Sequence, residues 1–154
     1  MDIQLATKEH LSQIEPLYQA LFATTADLEP YFFKKAHQDQ AFLEATIEND
    51  ESDLLIAVMD DQIVGFALMQ MQETPPYNVF KKHNFAYLVD LITKPTYRGQ
   101  GIASTLLAEC ERWAKTKGAD YLELSVLNKN TNAYDLYLKK GFSEKITTLY
   151  KPID

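Results

Sequence analysis

Apolar residues recur every four positions at Ile102, Leu106, Cys110 and Ala114, with Leu107 and Trp113 widening the stripe. Glu109, Glu111, Arg112, Lys115 and Lys117 fill the other face, a pattern that predicts an amphipathic helix stopped by Gly118. Upstream, residues 85–93 form a mostly apolar run rich in aromatic and β-branched side chains, which reads as a buried strand ended by Lys94-Pro95. Residues 1–5 read as a short strand, and Thr7 stands where it can cap a helix carrying Leu11, Ile14, Leu17, Tyr18, Leu21 and Phe22 on one side. A second helix is predicted from 31 to 47. Residues 54–59 and 63–71 read as strands joined through Asp60-Asp61-Gln62, and the strand from Phe85 completes a meander. A further strand is expected over 121–127, a helix after it, and a last strand over 142–150. The order β-α-α-β-β-β-α-β-α-β predicts an α+β or mixed α/β layered fold.

Composition narrows the class. The 154 residues, 46% hydrophobic and 12% aromatic, suffice to bury one sizeable core, so one domain over 1–154 is expected, without repeats or low-complexity segments. No apolar run approaches the length of a bilayer span, and Asp2, Lys8 and Glu9 stand where a secretory signal would be apolar. A cytoplasmic location is therefore the default expectation. A net charge of -7 argues against nucleic acid or an anionic membrane as partner and suits a cationic substrate, although it also serves solubility. Cys110, the only cysteine, rules out an internal disulfide, and its place on the apolar helix face makes it a core residue. His10, His37 and His83 lack ligand spacing to one another or to Cys110, and no metal is expected.

The candidate chemistry lies in Tyr97-Arg98-Gly99-Gln100-Gly101-Ile102-Ala103, where a strand passes into the amphipathic helix. A helix N-terminus offers unpaired N–H groups and the positive end of its dipole, and two glycines let a phosphate approach the backbone closely. Arg98, with Lys94, adds positive charge. The glycines could equally serve only a tight turn. A Walker loop is absent, because no Gly-x-x-x-x-Gly-Lys-Ser/Thr occurs. The dinucleotide fingerprint is incomplete, since Ser104 stands where its third glycine belongs.

The loop resembles instead the pyrophosphate loop of the GNAT superfamily of acetyl-CoA-dependent N-acetyltransferases, Arg/Gln-x-x-Gly-x-Gly/Ala, filled here by Arg98, Gly101 and Ala103. A second block, residues 130–142, is similar to the family's Asn-x-x-Ala-x-x-Leu-Tyr-x-x-x-Gly-Phe. The resemblance covers the C-terminal 70 residues or so. It implies a GNAT-like α/β (α+β) fold with a central mixed, mostly antiparallel sheet and helices on both faces. It also implies fourth and fifth strands that splay apart to admit the pantetheine arm. The co-substrate it implies is acetyl-CoA, with Leu91, Ile92, Thr93, Arg98, Gly99, Gln100, Gly101, Ile102, Ala103, Ser104 and Asn130 as its binding residues. Asn130 would bond the pantetheine arm, or cap the following helix, or both.

The reaction sets what else is needed. An alkyl amine with a pKa near 10.4 is neutral in roughly one molecule in a few thousand at pH 7, so a base must take its proton. Asp90 and Glu123 are the candidates, and the resemblance favours Asp90. An oxyanion then needs a donor already in place, which the family takes from a fourth-strand N–H, here that of Leu91 or Ile92. Tyr137 occupies the family's position for the acid that protonates the leaving thiolate; Tyr134, three residues earlier, shows how ordinary a packing tyrosine would be there. Residues 31–33 and the 73–84 loop, both aromatic, lie where the family selects its acceptor, and exposed aromatics could equally build an interface. A small primary amine is the expected acceptor, with a protein N-terminus or lysine next. Homodimers are common in the family, and the sequence leaves the assembly open. A non-catalytic acyl-CoA-binding sensor or scaffold on the same fold is the alternative reading; a nucleotide-dependent oxidoreductase rests only on Gly99-Gln100-Gly101.

Overall fold

The computed structural model describes residues 1–154. Five strands form one sheet in the order β1 (Asp2–Leu5), β2 (Ser52–Met59), β3 (Gln62–Glu73), β4 (Asn84–Thr93) and β5 (Leu122–Leu124). The first three pairings are antiparallel, and β4 pairs β5 in parallel. A parallel neighbour requires a crossover, which α3 (Ile102–Thr116) supplies. The helices α1 (Leu11–Leu28) and α2 (Gln40–Glu48) cover one face of the sheet, while α3 and α4 (Thr131–Lys139) cover the other.

Strand alternation divides the core between these faces. On β2, Leu54 and Ile56 pack with Leu11, Ile14, Leu17 and Tyr18 of α1, whereas Leu55 and Ala57 pack under α3. The stripe read from the sequence is the buried side of α3, with Ile102, Leu106, Leu107, Cys110, Trp113 and Ala114 all in the core. Gly65 lets this helix approach the sheet: a Cβ there would stand 2.8 Å from the Ile92 carbonyl oxygen and 3.2 Å from Ile102. The β2–β3 hairpin turns on Asp60 and Asp61, both left-handed at φ 51 and 57, the geometry that matches the twist of paired strands.

Three expectations need correction. The second helix begins at Gln40 rather than near Tyr31, because Asp39 accepts the Ala41 N–H and fixes the start, while Phe32 and Phe33 close a turn on the Glu29 carbonyl. The fifth strand is confined to Leu122–Leu124 instead of 121–127. No strand forms over 142–150. Its β-branched and aromatic residues favour extended chain, but a strand exists only through ladder pairing, and this segment has none. Side-chain contacts hold it instead: Lys145 pairs with Glu123 at 2.6 Å, and the Tyr150 ring packs on Tyr31 and Phe32.

Candidate active site

The sheet opens where β4 outruns β5. Their ladder pairs Ala86, Tyr87 and Leu88 with Leu122, Glu123 and Leu124, and β4 continues without that neighbour to Thr93. A bulge lies at the same point, since Leu68 faces Asp90 while Met69 faces Leu88, leaving Val89 as the extra residue. One extra residue changes which face each following side chain meets: Ala86 and Leu88 lie under α3, whereas Asp90 reaches Tyr18 of α1. Further along, the Lys94 N–H donates to the Val64 carbonyl at 2.7 Å. Backbone groups alternate in direction along a strand, so Ile92 turns toward β3, and Leu91 and Thr93 turn toward the open edge.

Just beyond this edge lies the loop into α3. Gly99 and Gly101 both have φ of 79°, a left-handed conformation that glycine adopts freely, and a Cβ at either position would meet nothing within 4 Å. From residue 99 through residue 104 no backbone N–H has a hydrogen-bond partner in the protein; the first to find one is Thr105, on the Gly101 carbonyl. Arg98 is exposed and makes no ion pair, while Lys94 is engaged with Gln62 at 3.2 Å and with the Tyr97 ring. The result is an open, positively polarised cradle suited to a pyrophosphate, with one guanidinium beside it. Both glycines also make the turn from β4 into α3.

The two tyrosines of α4 differ in their surroundings. Tyr134 donates its hydroxyl to Glu144, which ties the helix to the chain that follows. Tyr137 packs against the α3-side core with its ring edge-on to Phe142 at 5.8 Å, and its hydroxyl makes no hydrogen bond. Because no buried side-chain polar atom lacks a partner, that hydroxyl opens to solvent. Burial, together with nearby Cys110, pushes the Tyr137 phenol up to about 12, so it carries its proton at neutral pH. Asn130 sits at the N-cap of α4, but its side chain makes no capping bond.

Of the two carboxylates, Glu123 is paired with Lys145, whereas Asp90 contacts no cation. Burial raises the Asp90 carboxyl above the usual carboxylate range, and a 2.6 Å hydrogen bond from the Tyr18 hydroxyl works in the opposite sense. Sequence reading placed Tyr18 on the apolar face of a helix and missed this contact; the two residues are 72 positions apart, and no local signal joins them. The two aromatic segments are exposed, Tyr31, Phe32 and Phe33 before α2 and Tyr77, Val79 and Phe80 between β3 and β4. No helix is long and apolar enough to cross a membrane.

Comparison with known proteins agrees with this fold. An uncharacterized N-acetyltransferase of Bacillus subtilis (strain 168), YhfO, is 29% identical over 147 residues, covering 94% of this chain and 91% of the relative. The chain spans 61% of the length of another relative, MJ1207 of Methanocaldococcus jannaschii, at 25% identity over 93% of its own. The thialysine N-epsilon-acetyltransferase of Bos taurus is 39% identical over 79 residues, 51% of this chain and 44% of that protein. The crystal structure of a mutant BH1408 protein from Bacillus halodurans shares the fold at a TM-score of 0.94, with 20% identity and 99% of each chain covered. The sequence profile of the acetyltransferase (GNAT) family matches residues 15–142, so the chain belongs to that family of acetyltransferases.

Proposed function

We propose that the protein transfers the acetyl group of acetyl-CoA directly to a primary amine of a small molecule. The observation that carries this reading is the unbroken run of unpaired N–H groups over 99–104 beside the unpaired end of β4. In this reading Gly99, Gln100, Gly101, Ile102, Ala103 and Ser104 hold the pyrophosphate with Arg98, and the edge groups of Leu91 and Thr93 hold the pantetheine arm with Asn130. Ile92 contributes its side chain to the core on the α1 side and turns its N–H toward β3, which leaves Leu91 as the donor to the thioester oxygen.

The remaining steps move protons. Asp90 takes the proton of the acceptor ammonium through a water, the amine nitrogen bonds to the acetyl carbon, and the C–S bond breaks. The nitrogen that has attacked loses its second proton to solvent, Tyr137 gives its proton to the departing thiolate and regains one from solvent, and Asp90 releases the first proton. Burial keeps the phenol protonated and able to donate a hydrogen bond to the sulfur as the C–S bond breaks. Full transfer from a phenol held up to about 12 to a thiolate whose acid lies near 8.5 runs uphill, and re-protonation of the tyrosine from solvent completes it. The similarity to a thialysine acetyltransferase supports an amine-bearing amino-acid derivative among small acceptors, and the aromatic segments at 31–33 and 77–80 give a cation apolar walls to approach.

Thermal unfolding with acetyl-CoA, against NAD and ATP as controls, tests the first half, since a ligand of the native state raises the midpoint. A shift with acetyl-CoA alone is expected; none at saturation overturns the proposal. A panel of amines, amino-acid derivatives and peptides then tests the acceptor. Turnover of peptides but of no small amine would transfer the function to protein substrates, and binding without turnover of any amine would make the chain a sensor.

A further inference from the structure

We infer that Tyr18 is a positioning residue for Asp90, holding one carboxylate oxygen from the core so that the other stays free to receive the acceptor's proton. The inference rests on Asp90 acting as the base in the proposed transfer.

Tyr18 is fully buried, and its ring is wedged between Phe22 and Phe66 at centroid distances of 5.4 and 4.7 Å. A ring packed in this way cannot swing aside, so its hydroxyl is a fixed point in the fold. That hydroxyl crosses from α1 to β4 and donates to Asp90 Oδ2 at 2.6 Å, the length of a charge-assisted bond. Asp90 Oδ1 makes no hydrogen bond, and because no buried side-chain polar atom is left without a partner, it faces solvent. The carboxylate thus has one anchored and one open oxygen.

A buried tyrosine needs only a neutral acceptor, and a backbone carbonyl would satisfy it without the cost of burying a carboxylate. Its partner here is an acid at the bulge where the sheet opens. No cation faces Asp90 from β3, α1 or the 29–39 loop, and Tyr18 is the only titratable group acting on it. Gln38, from that loop, acts on the same Tyr18 hydroxyl. Burial raises the carboxyl, which makes it a stronger proton acceptor, and the Tyr18 bond, made to the ionised form, works against that rise.

Tyr18→Phe removes the hydroxyl and keeps the ring in its stack. Two measurements apply: a 13C-NMR titration of the Asp90 side-chain carboxyl, which needs no acceptor, and the pH profile of kcat/KM once an acceptor is in hand. The variant should titrate at higher pH by about one unit, a ten-fold loss of ionised carboxylate on the acid side. Its acid limb of kcat/KM should move up equally, with acetyl-CoA affinity unchanged. Combined with Asp90→Asn, the tyrosine change should cost nothing further, because both act through one group. An inactive Asp90→Asn beside a Tyr18→Phe with wild-type titration and profile would overturn the positioning role alone. An Asp90→Asn with wild-type turnover would overturn the base assignment, and this inference with it.

Discussion

Gly101 and Gly118 stand at opposite ends of α3 and allow a matched experiment on the cofactor cradle. Both are left-handed, at φ 79 and 74, and a Cβ added to either meets nothing within 4 Å. Alanine at either position therefore meets the same obstacle, the backbone conformation itself, at about 1–2 kcal/mol. For a chain of this size each kcal/mol lowers the melting temperature by roughly 2–4 °C, so both variants should melt lower by similar amounts in the absence of ligand. Their ligand responses should separate. Gly101 lies within the unpaired N–H run, and Gly118 lies at the far end, where its N–H already bonds the Lys115 carbonyl. Losing or misdirecting one hydrogen bond to a charged phosphate is worth about 1.5–3 kcal/mol, a ten-fold or greater rise in the Kd for acetyl-CoA. Isothermal titration calorimetry on Gly101→Ala should show that rise, while Gly118→Ala binds as the wild type. Equal affinities in the two variants would refute the assignment of the loop, because the backbone penalty is common to both.

Tyr137→Phe should lower kcat roughly ten-fold or more with little change in acetyl-CoA affinity, and unchanged turnover would remove Tyr137 from the mechanism. Because burial holds that phenol up to about 12, no alkaline fall in kcat should come from it below about pH 10; a fall that disappears in Tyr137→Phe would contradict this. Gly65→Ala places a Cβ against the Ile92 carbonyl and α3, and such overpacking should cost about 1–3 kcal/mol in chemical unfolding; a neutral variant would mean that α3 can shift without strain. Cys110 is fully buried and its thiol is pushed up to about 12, so thiol reagents should label it only on unfolding, and rapid labelling of the native protein would refute its core placement.

The amino-acid sequence alone determined those features that depend on neighbours a few residues apart. The four-residue period of Ile102, Leu106, Cys110 and Ala114 selects one helix face, and Gly99 and Gly101 mark the turn before it, because helical geometry and left-handed φ are local properties. The hairpin at Asp60 and Asp61 was legible for the same reason. Long-range packing decided the rest. Residues 142–150 carry the propensity of a strand but find no ladder, and 31–39, expected as the start of a helix, stay outside it because the cap forms at Asp39. Tyr134 and Tyr137 look alike along the chain, yet only Glu144 and the α3-side core separate a tethered hydroxyl from a free one. The choice between Leu91 and Ile92 turns on which side of β4 meets β3, and the contact between Tyr18 and Asp90 exists only once α1 lies across the sheet. Local patterns specify which elements can form; the docking of those elements specifies which polar groups meet, and the chemistry depends on that meeting.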